Sequence, residues 1–218
     1  ADLDLIPGGI TNKTPNTWNE DRIKPHVIFT DENGQEQWLH EAFLLIGGED
    51  AKRDMILSID SGGRRSGTQE AWTDFADYWL KDGGVVDVLD QTIANAKTRI
   101  GRPSFRHKVV ITMPDPIMLE YFTDKGSSTT YWGSVHDRTL DFQNTADQVL
   151  AYQWYINYVI EQWEKLTPQN VELAGFYILS EILVAKPGGW NYKYKRWDKI
   201  LPPVASYLHE MKYGLYWI

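Results

Sequence analysis

The chain has 218 residues, of which 42% are hydrophobic, so it can bury a substantial core in one large domain or two small ones. Its 30 acidic and 22 basic residues give a formal charge of -8 at pH 7, and no lysine- or arginine-rich block is present. This charge argues against nucleic acid or an anionic membrane surface as the main partner, and it favours a neutral or cationic ligand.

Cysteine is absent, which excludes disulfides, thiolate metal sites and cysteine nucleophiles. No apolar stretch approaches the roughly 20 residues that a membrane-spanning helix requires. The sequence starts at Ala1 rather than at a methionine, which predicts a processed or trimmed N-terminus. The aromatic content is high, and several rings lie in polar, Gly/Pro-rich segments where core residues are not expected.

Five apolar blocks predict strands, and their nearly continuous apolar character is typical of parallel sheets that are covered on both faces. Between the first two blocks, Asn33-Gly34 is a strong turn signal that predicts a local antiparallel β-hairpin inserted after strand 1. The blocks are DLDLI (2 to 6), EAFLLI (41 to 46), KVVITM (108 to 113), ELAGFYIL (172 to 179) and YGLYWI (213 to 218).

Helical patterns separate the later blocks. The pattern over 145 to 166 is the most regular, and Thr145 with Gln148 predicts a capping box at its start. Two further helices are predicted to stop at Gly83-Gly84 and at Gly101. A fourth is predicted from about 197 to 211, with its regular part starting near its two prolines, 202 and 203.

The alternation of strands and helices predicts right-handed crossovers and a parallel sheet. An open doubly wound sheet and a (β/α)8 TIM-type barrel both satisfy this pattern. No GxGxxG or GxxxxGK[ST] follows a strand, so the nucleotide-binding open sheet loses support. We expect a single domain over residues 1 to 218 that forms an incomplete (β/α)8 barrel with about five of its eight strands.

The final block, YGLYWI, is a predicted strand with no helix after it to cover its apolar side chains. Five strands in 218 residues extrapolate to roughly 350 residues for a full barrel, which is within the range of that fold. We therefore expect the chain to be the N-terminal portion of a longer barrel. Its C-terminal remainder is then cleaved, carried on another chain or absent from this sequence.

Candidate site residues come from the carboxyl ends of the predicted strands, where barrels and parallel sheets place their sites. Glu181 directly follows the fourth strand. Partial desolvation among aromatic neighbours would raise its pKa toward neutrality and suit it to general acid catalysis. The structural alternative is a carboxylate that pairs with a nearby Lys or Arg or caps a helix.

Aromatic residues in polar loops are the second class of candidates. Trp190 and Tyr192 follow Glu181 in a Gly/Pro-rich, lysine-studded segment, and Trp132 lies in the long loop after the third strand. Flat rings with polar handles suit stacking against sugar rings. The alternative is that these rings seal the rim of the barrel by packing on neighbouring loops.

Polar residues after the third strand complete the set. Asp115 in MPDP is a candidate substrate ligand, although an ordinary turn residue is the favoured interpretation. His136 and Arg138 could hold a substrate hydroxyl or carboxylate, but a local capping and salt-bridge cluster is favoured. No HExxH or GxSxG is present, so neither a metal, a cofactor nor a serine nucleophile is predicted.

Seven blocks occur in an order that resembles the bacterial family named domain of unknown function 4855. They are DLDLIPGG, WLHEAFLLI, HKVVITMPDP, DRTLDF, AYQWYI, VELAGFYILSE and LPPVASYLHEMKYGLYWI. The resemblance covers nearly the whole chain, and it implies a glycoside-hydrolase-like TIM barrel in periplasmic, cell-surface or secreted proteins. In that family the equivalent of YWI continues into further strands, which agrees with an incomplete barrel here.

For the site, the resemblance implies a role for Glu181, which matches the acidic position where retaining barrel glycosidases commonly place their acid/base glutamate. Ile178 stands where the family usually has Trp, and the segment after Glu181 is longer and richer in Lys and Tyr. Substrate preference therefore does not follow from the family. The barrel analogy puts a second carboxylate, acting as nucleophile or base, on a late strand beyond Ile218.

The sequence thus predicts a carbohydrate-active protein whose partner is an oligo- or polysaccharide, and a glycoside hydrolase with Glu181 as general acid/base. The alternatives are a noncatalytic glycan-binding barrel and a structural barrel of a cell-envelope protein. A second carboxylate about 5 to 5.5 Å from Glu181 would indicate a retaining hydrolase, and one about 6.5 to 9.5 Å away an inverting one.

Overall fold

The structure is a computed structural model, and its description covers residues 3–7, 10–11, 14–15, 17–48, 55–58, 65–119, 128–180 and 196–217. Five strands in these ranges form one central sheet. They are β1 (Leu3–Pro7), β2 (Ala42–Ile46), β3 (His107–Met113), β4 (Val171–Ile178) and β5 (Gly214–Tyr216). All four neighbouring pairs are parallel, and the order of the strands in space equals their order in the chain.

Five helices are described, and each connection between consecutive sheet strands carries at least one of them. They are α1 (Glu20–Val27), α2 (Gln69–Leu80), α3 (Val85–Ile100), α4 (Thr145–Leu166) and α5 (Trp197–Glu210). None of the described helices combines the length and the apolar character needed to cross a bilayer. The predicted mixed α/β fold with a parallel sheet is confirmed. Within the described residues the sheet is open, with β1 and β5 at its edges, and no closed barrel is formed.

The two faces of the sheet differ in what covers them. Successive strand residues point to opposite faces, and side chains such as Leu45, Ile111 and Phe176 pack into one large core with apolar residues of all five helices. On the other face, Leu44, Val110 and Tyr177 form a separate cluster that includes no described helix residue. The described helices therefore all lie on the same face of the sheet.

The predicted hairpin after strand 1 is confirmed by two antiparallel strands, Ile28–Thr30 and Glu36–Trp38. Gly34 adopts a φ of 77°, which glycine tolerates without steric cost, and the Asp31 carboxylate accepts the backbone N–H of residues 33 and 35. This hairpin lies at the amino edge of the sheet, because it leads directly into the start of β2.

Two predicted details at helix starts need correction, namely the cap of α4 and the position from which α5 is regular. The capping box of α4 is wrong by one residue: Asn144 is the N-cap, and its side-chain oxygen accepts the N–H of Ala146 at 3.0 Å. Helix α5 begins at Trp197, as predicted, but it is regular from there and not only from near Pro202. Burial of Trp197 and Ile200 stabilises the early turns, which outweighs the hydrogen bonds that the prolines cannot donate.

Gly175 marks a very close approach between β4 and β5. A Cβ at this position would come 2.1 Å from the backbone oxygen of Gly214, and the register of β4 against β3 shifts between Leu173 and Gly175. Only a residue without a side chain fits there, so the glycine permits β5 to pair along the end of β4.

We predict that Gly175→Ala lowers the free energy of unfolding by about 2–4 kcal/mol, because the added methyl group must push the two strands apart. Gly34→Ala is the matched control. Its φ is also positive, but a Cβ there meets no atom within 4 Å, so its cost is about 1–2 kcal/mol. Urea unfolding of both variants measures the difference, and equal losses would contradict the close-approach explanation.

His107 occupies an aromatic enclosure at the amino edge of the sheet. The side chain is fully buried against Trp38, Phe43 and Phe105, and neither ring nitrogen has a hydrogen-bond partner among the described residues. Burial, reinforced by the positive charges of Lys97 and Arg102 and only partly opposed by Glu41, lowers the pKa of His107 from 6.5 to about 4. The imidazole is therefore neutral in the folded protein at pH 7.

This lowered pKa predicts a loss of stability in mild acid. Between pH 6.5 and about 4 the unfolded chain binds a proton at His107 that the folded protein does not, so the free energy of unfolding falls as the pH decreases. The contribution reaches about 3 kcal/mol at the lower end of this window. His107→Phe should remove this pH-dependent loss of stability, whereas His209→Gln, at an exposed position, should not. Urea unfolding at pH 7.5 and at pH 4.5 measures the loss in the unmodified protein and in both variants. An equal loss in all three proteins would contradict the prediction.

Candidate functional site

Two candidate carboxylates follow neighbouring strands at the same edge of the sheet. Met113 and Ile178 are paired in register at the ends of β3 and β4. Asp115 follows Met113 by two residues, and Glu181 follows Ile178 by three. Glu181 itself lies outside the described residues, as do Trp190 and Tyr192. Neighbouring parallel strands lie about 4.8 Å apart, so the ends of β3 and β4, where the chain leaves the sheet, are close to each other.

Asp115 lies at the predicted carboxyl edge but is almost completely buried, with 4% of its surface exposed. Its backbone N–H donates to the carbonyl of Leu57, and its own carbonyl accepts from Ile117. Burial and the negative charge of Asp115 together raise the pKa of Tyr152 on α4 well above its ordinary value. The carboxylate is thus directed toward the aromatic core, and this placement limits direct contact with a substrate.

Trp132 also lies in the core rather than on an open surface. It is 1% exposed and packs edge-on against Trp72 and Trp154, with Phe142 tilted beside it at 5.6 Å between ring centroids. Such edge-to-face packing stabilises buried aromatic clusters. The ring of Trp132 therefore presents no free face to a sugar in this structure.

His136 and Arg138 belong to a short hairpin of strands Ser134–Val135 and Arg138–Thr139. Positive φ angles of 50° and 60° at His136 and Asp137 are those of a two-residue type I′ turn. Arg138 donates to both carboxylate oxygens of Asp147, at 2.9 and 3.0 Å, and Asp147 is 4% exposed. The favoured local salt bridge is thus present, and His136 is exposed at the turn.

A chain of buried hydrogen bonds fixes the loops at the carboxyl edge, and sequence analysis did not find it. Gln148 on α4 is fully buried; its side-chain amide donates to the carbonyl of Pro116 in the loop after β3. Its oxygen accepts from Arg196, which also donates to the carbonyls of Phe142 and Gln143. Arg196 directly precedes α5, so these bonds join the loop after β3 to the start of α5.

Trp217 is a second feature that sequence analysis missed. The predicted strand ran through to Ile218, but β5 ends at Tyr216, which leaves Trp217 at the carboxyl edge with 51% of its surface exposed. Its indole N–H donates to the carbonyl of Ser180 at 3.0 Å. The exposed ring is thus attached to Ser180, the residue that precedes Glu181 in the chain.

In the part of the chain that the structure describes, no group of three or more His, Asp or Glu residues is arranged to hold a metal ion. The described part of the carboxyl edge instead combines the buried carboxylate of Asp115 with the exposed ring of Trp217. These features define a mixed α/β protein with its candidate site at the carboxyl edge of a parallel sheet.

Comparison with protein families adds one assignment. Residues 2–218 match the family described as domain of unknown function (DUF4855), and the chain belongs to this family. Searches of curated proteins and of solved structures gave no match.

The hydrogen-bond chain through Gln148 predicts a large effect of a buried substitution. Gln148→Leu should lower the free energy of unfolding by about 2–3 kcal/mol, because the carbonyl of Pro116 and the guanidinium of Arg196 each lose a buried partner. Gln143→Ala is the control, since Gln143 joins the chain through its backbone alone and should change stability by about 0.5 kcal/mol or less. Denaturant unfolding compares the two, and similar small losses would contradict the structural role of the chain.

Proposed function

We propose that the protein is a carbohydrate-active enzyme, a glycoside hydrolase in which Glu181 is the general acid/base. The observation that carries the proposal is the register at the end of β4. Ile178 is the last paired residue of β4 against β3, and its partner is Met113. Glu181 therefore follows, three residues along the chain, the carboxyl end of the strand next to the one that leads to Asp115. Parallel α/β folds bring substrates to this edge.

The proposal includes a complete (β/α)8 barrel. In doubly wound sheets the strand order reverses and helices cover both faces. Here the spatial order of β1 to β5 follows the chain, and the described helices all lie on one face, which supports a barrel. Three further strands, supplied by a C-terminal remainder or by another chain, would then close the sheet between β5 and β1.

In this proposal Glu181 protonates the oxygen of the scissile glycosidic bond and later activates water. The second carboxylate comes from a late strand beyond Ile218, as in other barrel glycosidases. Asp115 supports the strand end rather than attacking the sugar, because its side chain is buried beside Tyr152. Trp190 and Tyr192 remain the proposed sugar-binding residues in the loop after Glu181, and the proposed location is periplasmic, cell-surface or secreted.

A noncatalytic glycan-binding barrel is the second candidate. The exposed ring of Trp217 favours it, because an aromatic platform supports glycan binding whether or not a bond is cleaved. The two functions predict different results when the carboxylate of Glu181 is replaced by an amide of the same shape.

Glu181→Gln should lower the turnover of a cleaved glycan by about 100-fold or more, because the amide can neither donate nor accept the catalytic proton. Binding of the same glycan should be largely retained. Glu172→Gln, at the amino end of the same strand, is the control and should keep normal turnover. Release of reducing ends and calorimetric titration measure the two properties in the full-length protein; unchanged turnover in Glu181→Gln would remove Glu181 from the catalytic role.

A further inference from the structure

Two exposed aromatic residues lie together at the end of β5. Tyr216 is 39% exposed and Trp217 is 51% exposed. The other large hydrophobic residues with comparable exposure in the described ranges are Phe29 in the hairpin at the amino edge and Leu39, which directly follows that hairpin. The carboxyl edge thus has an exposed aromatic pair of its own, on the strand next to the one that leads to Glu181.

The position of Trp217 is fixed by a hydrogen bond. Its indole N–H, the single polar group of the side chain, donates to the carbonyl of Ser180 at 3.0 Å. Ser180 is fully buried and is joined to Glu181 by one peptide bond. The ring is therefore held next to the backbone of the proposed acid, and little conformational freedom is left to lose when a ligand stacks on it.

Tyr216 lies on the face of the sheet that carries no described helix. It is in register with Tyr177, whose side chain belongs to the cluster on that face. A Cβ at Gly214 would come 2.6 Å from the Tyr216 ring, so the ring lies directly over this glycine. Because Gly214 has no side chain, the phenol can lie flat against the strand.

We propose that Trp217 is a sugar-stacking residue of a subsite beside Glu181, and that this subsite takes a pyranose ring of a neutral or amino sugar. This inference rests on the proposed function, which gives the location of the subsite. It extends that function by naming a residue that recognises the sugar. The C–H faces of pyranose rings pack on flat aromatic rings, and the negative face of an indole also attracts cationic groups. The net charge of -8 disfavours polyuronates by long-range repulsion.

The test is a titration of the full-length protein carrying Glu181→Gln, so that no glycan is cleaved during the measurement. The probes are three hexasaccharide types: neutral β-glucan, chitosan and polygalacturonate oligomers. On this background, Trp217→Ala should weaken binding of the preferred neutral or amino-sugar probe about tenfold or more, and Trp217→Phe about threefold, since phenylalanine keeps a ring but loses the hydrogen bond to Ser180.

Phe29→Ala is the matched control. It removes an aromatic residue of similar exposure from the amino edge and should leave the dissociation constant unchanged. Thermal unfolding checks that each variant is folded. In addition, binding should change the fluorescence more in the protein that keeps Trp217 than in the Trp217→Phe variant. This difference reports contact between the ligand and the Trp217 ring, independently of affinity.

The outcomes separate this inference from the proposed function. An unchanged dissociation constant in Trp217→Ala overturns the inference and leaves the role of Glu181 intact. If binding depends on Trp217 but the protein with Glu181 intact shows no turnover, the inference is supported and the proposed hydrolase activity is contradicted. Preferred binding of polygalacturonate overturns the assigned sugar class, and failure to bind any of the three probes overturns the subsite.

Discussion

The parallel pairing of consecutive strands is the constraint on which this molecule depends. Each pair of consecutive sheet strands is parallel, so the chain must return over the sheet before the next strand begins, and it does so on one side. As a result the helices pack on a single face, and the carboxyl ends of β1 to β5 all lie at one edge. The placement of Asp115, Ser180 and Trp217 at this edge is a consequence of the parallel connectivity.

The two edges of the sheet carry different kinds of residue. At the amino edge, His107 lies fully buried among aromatic rings and contributes to folding through its neutral form. At the carboxyl edge, buried hydrogen bonds through Gln148 and Arg196 hold the loops, and Trp217 remains exposed. This division matches the usual separation in parallel α/β folds, where one end supports stability and the other supports binding or catalysis.

Much of the fold could be predicted because apolar periodicity is a local property of the sequence. The predicted block at 172 to 179 matches β4 within one residue at each end, and the predicted helix over 145 to 166 coincides with α4. Helix α1 was not predicted, because Pro25 interrupts the helical pattern of its sequence. Its signal was present in Asn19, which caps it, and in the acidic first turn.

The candidate site was harder to predict, because exposure and long-range pairing depend on the tertiary structure. Trp132 lies in a polar segment, yet it packs in the core against residues from α2 and α4. The partner of Arg138 is Asp147, nine residues further along the chain in the first turn of α4, and the turn of the hairpin that carries Arg138 was not recognised. Trp217 was assigned to the last predicted strand, and the structure shows that β5 ends at Tyr216 and that the ring of Trp217 is exposed.

The central claim is that the carboxyl edge of this sheet binds a glycan beside Glu181. A crystal structure of the full-length Glu181→Gln protein with a bound oligosaccharide tests it most directly. We expect one pyranose ring stacked on Trp217 and the side chain of residue 181 within about 3 Å of a glycosidic oxygen. A glycan bound at the amino edge, or one bound at the carboxyl edge without contact to either residue, would contradict the account.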